Sequence, residues 1–144
     1  MNLHDSRGKE KRTVMTVQEL YASIGADYNS ALRLLRSDAM VARLIVKLPE
    51  DPAFERLLTA WKSNDEAGIF EASHSMKGVY GNLGLFDISK AASVITQQYR
   101  PGSSRTMSEE ELNDAFEHLV ELHDTAVSAI HAFARQNETH SPRH

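Results

Sequence analysis

Residues 66–85 read EAGIFEASHSMKGVYGNLGL. Placed on a helical wheel at 100° per residue, Ile69, Ala72, Met76, Val79 and Leu83 fall on one face and form an apolar stripe. The stripe is centred roughly 180° from His74, so the histidine is expected on the solvent side of its helix. Around His74 lie Ala67, Phe70, Lys77, Gly78 and Gly81. An ordinary solvated helix surface would carry Glu, Lys, Gln or Ala there. Two interior glycines each cost a helix about 1 kcal/mol relative to alanine, so they need a reason. One reason is close packing of a neighbouring helix. The other is a partner docking flat against the face, with small residues clearing a path to the imidazole. Lys77, at i+3, would neutralise an incoming anion. A histidine, a cation and a cleared landing area together suit phosphoryl transfer.

Outward from this helix, the chain reads as amphipathic helices and short breaks. Thr16 and Glu19 form a capping box ahead of Val17, Leu20, Tyr21 and Ile24. Gly25-Ala26-Asp27 breaks the pattern, and Tyr28, Ala31, Leu32 and Leu35 resume it. Ser37 or Asp38 caps a helix with the stripe Val41, Leu44, Ile45 and Leu48, which Pro49 ends. Asp51-Pro52 starts another, with Phe54, Leu57, Leu58 and Trp61 inward. Asn64 or Asp65 caps residues 66–83. Asp87 opens a helix carrying Ile88, Ala91, Ala92, Ile95 and Tyr99, stopped by Pro101-Gly102. Ser108 and Glu111 form a second capping box, and a stripe from Leu112 to Phe133 carries the last helix to about residue 136. No segment alternates with period two. The expected fold is all-α: an antiparallel four-helix bundle with additional N-terminal helices over residues 15–136. Residues 1–14 read as a flexible polar tail and 137–144 as a frayed end.

Composition narrows the function. The chain has 144 residues, the size of one domain, with 41% hydrophobic and 25% charged residues. Lys plus Arg number 16 against 20 Asp plus Glu, a net charge of −4, which argues against nucleic-acid binding. Absence of cysteine excludes disulfides, cysteine-zinc sites and thiol nucleophiles. No apolar run is long enough to span a membrane, and the N-terminus does not read as a secretory signal. A cytoplasmic location is expected, and the starting Met and polar ends fit a free-standing protein. The cluster Arg7, Lys9, Lys11 and Arg12 is too short and mixed to imply a membrane or nucleic-acid role.

The run His74-Ser75-Met76-Lys77-Gly78, followed by a spacer and Gly84, resembles the signature of histidine-containing phosphotransfer (HPt) domains. Met76 stands where that family usually has Leu, and Leu85 where it often has Ala. The resemblance extends loosely over about residues 15–102. It implies that His74 accepts a phosphoryl group through Nε2 from the aspartyl phosphate of a response-regulator receiver domain and passes it to another receiver aspartate. It implies partnership with a hybrid sensor histidine kinase and a magnesium ion that belongs to the receiver, so no metal or cofactor is expected on this chain. The chain is expected to act as a monomeric carrier and not as an ATP-dependent kinase, since no Walker-type phosphate loop is visible. Ala67, Phe70, Gly78 and Gly81 would form part of the docking surface.

Two other readings stand beside it: a receiver-binding module that is never phosphorylated, and a carboxylate-bridged metal bundle. The second would need another copy of the Glu71-x-x-His74 spacing on a second helix, and none is present. His118, His123 and His131 lie five and eight residues apart and read as a solvated acidic face. Trp61, Tyr80 and Tyr99 read as core.

Overall fold

Every α-helix but one begins where a side chain satisfies a free amide of the first turn; the exception is the helix that starts at Phe86, whose cap is Leu85. In the computed structural model, which describes residues 14–140, Thr16 accepts from the Glu19 amide while Glu19 accepts from the Thr16 amide, opening α1 (Val17–Ser23). Asp27 caps α2 (Tyr28–Leu35) and Ser37 caps α3 (Asp38–Lys47). A 3-10 turn, Leu48–Glu50, carries Pro49 and leads to α4 (Ala53–Lys62), where the Asp51 carboxylate accepts from the Ala53 amide. Asp65 caps α5 (Glu66–Asn82). Helix α6 (Phe86–Tyr99) starts one residue earlier than Asp87, and Ser108 boxes with Glu111 at the start of α7 (Glu109–His140). This last helix runs four residues past the expected end and is about 48 Å long. The tail expected over residues 1–14, with its basic cluster, lies almost wholly outside the described residues, as do 141–144 of the expected frayed end.

Helices α4, α5, α6 and α7 form the expected antiparallel bundle. The three-residue links around Asn64 and Gly84 fold α4 onto α5 and α5 onto α6. Aromatic stacking closes α4 against α7. The Trp61 ring lies 4.2 Å from Phe116, and the Phe54 ring lies 3.5 Å from His123. Ile69, Met76, Ile95, Leu119 and Ile130 are fully buried at the centre. Burying aliphatic side chains of this size stabilises a fold by about 1.5–3 kcal/mol each.

The N-terminal helices brace the end of α5. Tyr21 donates its hydroxyl to the Leu83 carbonyl at 2.7 Å, and the Asp27 amide donates to the Gly84 carbonyl at 2.8 Å. Gly84 has φ +84°, and a Cβ there would collide with the Asp27 carbonyl oxygen. Only glycine meets both demands. The start of the described chain is tied to the far end of α7, where the Met15 amide donates to Gln136 at 2.9 Å.

The buried face of α5 is turned slightly from the expected stripe. Ile69, Ala72, Met76 and Leu83 are buried as expected, but Ser73 and Tyr80 are buried too, whereas Val79 is only half-buried. Neighbours on two sides, α4 and α6, widen the covered arc beyond a single stripe. Trp61 and Tyr99 are half-buried rather than fully inside.

Candidate functional site

Helix α5 is held by its flanks, and its outer face is left open. His74 is exposed at mid-helix, two turns from either end. Among the described residues, neither its side chain nor that of Lys77 makes a hydrogen bond or an ion pair with another side chain. Phe70, one turn earlier, is half-buried, and its ring lies nearly parallel to the imidazole, 5.7 Å between centroids with 11° between planes. That contact orients the histidine from one side and leaves its outer edge free. Lys77 is half-buried on the following turn and Ala67 is exposed on the preceding one.

The two glycines of this face have different surroundings. A Cβ at Gly78 would meet nothing within 4 Å. A Cβ at Gly81 would stand 3.0 Å from the Ser89 hydroxyl of α6. Gly81 therefore serves close helix packing, the plainer of the two reasons a glycine can be here, and Gly78 has no neighbour that demands it. Ser89 uses the room to donate to the Lys77 carbonyl at 2.8 Å, which fixes the α5 backbone beside the site.

Beneath the site, Thr96 of α6 donates to the Ser73 hydroxyl at 2.9 Å, and Ser73 donates to the Phe70 carbonyl at 3.2 Å. Both side chains are fully buried. This chain of hydrogen bonds registers α6 against the backbone that carries Phe70 and His74. Ser73, Ser89 and Thr96 went unread in the sequence, because a small polar residue gives no periodic signal of its own. Arg100 was missed as well. Its guanidinium lies over the Phe70 ring at 5.5 Å, brought there because α6 runs antiparallel to α5 and ends level with its first turns.

His123 corrects the reading of the α7 histidines. His118 and His131 are exposed, but His123 is buried, stacked on Phe54 at 11° between planes and 6.1 Å from the Tyr80 ring. Burial lowers its pKa, against an opposing contact from the Asp124 carboxylate at 3.2 Å. The turn of α7 toward α4 makes this position a core position, although its sequence neighbours are acidic. Glu71 and His74 are both exposed on the outer face of α5 and do not point into the bundle, where a carboxylate-bridged metal pair would have to lie. No group of three or more potential metal ligands occurs among the described residues. No helix of the described residues is long and apolar enough to cross a membrane.

An outward histidine at the middle of a braced bundle helix, followed by Lys77 and Gly78, defines a class of protein, and comparison with known families agrees. A family model for the Hpt domain matches residues 39–132, well over half of the chain, and the chain belongs to that family. The match runs from α3 into α7, so it begins later and ends later than the likeness traced from the sequence over 15–102, and it leaves α1 and α2 outside. No curated protein and no solved structure matched the chain. Hpt domains are phosphocarrier modules of phosphorelays and interact with receiver domains of two-component systems.

Proposed function

We propose that His74 is the phosphoacceptor of this Hpt domain, and that the chain shuttles a phosphoryl group between receiver aspartates as a cytoplasmic monomer. The observation that carries the reading is the exposed imidazole beside a glycine whose surroundings are empty. A neutral imidazole is a competent nucleophile near pH 7 because its reference pKa is about 6.5. The Nε2 lone pair forms a bond to phosphorus as the acyl P–O bond of the aspartyl phosphate breaks. The bonding pair leaves with the receiver carboxylate, and the Nδ1 proton of the phosphoimidazolium passes to water. Return transfer reverses these steps onto a second receiver.

This chemistry rests on alignment and charge neutralisation, not on covalent help from the protein. Phe70 holds the ring plane. Lys77 supplies positive charge on the C-terminal side of the histidine. Gly78 leaves space for the partner's backbone, and Ala67 and Phe70 give it apolar contact. Gly81 acts one step back, by seating Ser89 of α6 against α5. The magnesium ion required by aspartyl phosphate chemistry belongs to the receiver, and the hybrid kinase upstream supplies the phosphoryl group, so this chain hydrolyses no ATP.

The test is incubation with phosphorylated receiver domains, followed by a search for acid-labile, base-stable label. We expect His74→Gln to abolish the label with the fold intact. Label retained by that variant removes His74 from the reaction. Receiver binding without any label in the wild type would make the chain an unphosphorylated docking module.

A further inference from the structure

A phosphoryl group near neutral pH brings close to two negative charges and three acceptor oxygens to the place it occupies. Lys77 alone does not match that charge. Two arginines lie at the end of the bundle beside Phe70, and their situations differ. Arg105 is committed: it pairs with Glu66 at 2.9 Å and lies 4.2 Å over the Tyr99 ring. Arg100 forms no ion pair among the described residues, and its guanidinium lies over the Phe70 ring at 5.5 Å. Phe70 in turn stacks on His74 at 5.7 Å. Phe70 is thus in contact with both the Arg100 guanidinium and the His74 imidazole. Arg100 also borders an open groove of about 460 Å³ that includes Ala67, so its side chain has room to turn.

We propose that Arg100 is a second phosphate-binding cation of the site, resting on Phe70 while His74 is bare and closing on the phosphoryl oxygens once His74 is loaded. The proposal rests on His74 being the phosphoacceptor. A cation–π contact between half-buried side chains is a modest interaction, whereas a guanidinium fork on phosphate is a strong, charge-assisted one, so loading favours the move. The backbone does not need to follow. Arg100 caps α6 at φ −61°, ψ 128°, the extended conformation required of a residue before proline, here Pro101. Only the side chain turns. The guanidinium stays protonated throughout, and no bond to it forms or breaks. Lys77 and Arg100 would then hold the group from opposite sides along the helix, which stabilises the loaded form and positions it in line for the second receiver.

The experiment uses the full chain and phosphoramidate as the phosphoryl donor, so that no receiver contact contributes. Labelling rate, label half-life and the Nε–Hε NMR signal of Arg100 are followed in the wild type, Arg100→Ala, Arg100→Lys and Arg105→Ala. We expect Arg100→Ala to lower the labelling rate about tenfold, equivalent to about 1.4 kcal/mol. Arg100→Lys should recover part of the rate by keeping the charge without the fork. Arg105→Ala should label like the wild type, and the Arg100 signal should shift on loading. Wild-type rates in Arg100→Ala with an unmoved Arg100 signal would overturn the proposal while leaving His74 as acceptor. So would a wild type that takes no label from phosphoramidate; labelling of His74 by receivers is a separate measurement and stands or falls by itself.

Discussion

His74 and His123 make the same pairing in opposite settings. Each lies nearly parallel to a phenylalanine ring, with 11° between planes in both cases. His74 meets Phe70 on its own helix, in the open; His123 meets Phe54 from the helix across the bundle, in the core. The centroid spacing follows the setting, 5.7 Å outside and 3.5 Å inside. In the core, the imidazole fills volume and joins two helices, and burial disfavours its charge. At the surface, the same ring keeps one edge free for chemistry. A histidine's role in this molecule is set by what covers its second face.

Exchanging the two residues separately breaks the comparison most sharply. Where His74→Gln should lose all phosphoryl label and keep its melting temperature, His123→Ala should keep its label per folded molecule and lose stability. Removing a buried ring that bridges α4 and α7 should cost about 2–3 kcal/mol, or a Tm roughly 8 °C lower. Thermal melts and labelling on the same samples decide it. A His123→Ala protein that is fully stable but cannot be labelled would reverse the assignment.

The two glycines of α5 offer a second, smaller contrast. Gly78→Ala fills open space on a helix, so it should stabilise by about 1 kcal/mol through backbone propensity alone. Gly81→Ala faces the Ser89 hydroxyl at 3.0 Å, and moving Ser89 breaks its bond to the Lys77 carbonyl. That loss, about 1 kcal/mol for a net hydrogen bond, should cancel the gain. Chemical denaturation resolves the difference. A bulky residue at Gly78, by contrast, should leave the fold unchanged and slow transfer from a receiver; unchanged transfer with Gly78→Leu would end the landing-surface argument.

Such pairs also show what the sequence made legible. The helices, their caps and the outward direction of His74 follow from local rules, because capping and a 3.6-residue period act within a few residues. Gly84 was legible as part of a motif, but the reason for it, the Asp27 carbonyl pressed against its Cα, depends on a segment over fifty residues away. His123 reads as solvated because it lies among Glu110, Asp114, Glu117 and Glu121, and only the placement of α4 shows that this turn of α7 is covered. Gly78 and Gly81 look alike on a wheel, and the partner helix alone tells them apart. Arg100 reaches Phe70 through antiparallel pairing across thirty residues, which no local pattern encodes.

The smallest expected effect concerns the charge of His123. Its pKa is lowered in the folded protein by burial, while an unfolded chain has the ordinary imidazole value of about 6.5. Below that value the unfolded state binds the extra proton first. Stability from the neutral ring is therefore complete above about pH 6.5 and is lost as the pH falls through the interval down to the folded pKa. One proton sets a ceiling of about 1.4 kcal/mol per pH unit, and the Asp124 contact, which favours the charged form, keeps the slope below it. Denaturation of the wild type and His123→Phe between pH 7 and 5 isolates the contribution, since other titrating groups are common to both. The wild type should lose stability faster, because phenylalanine can occupy the stack without a proton to refuse. Parallel curves would mean that water reaches the buried ring, and the contrast between the two histidines would then be one of packing only.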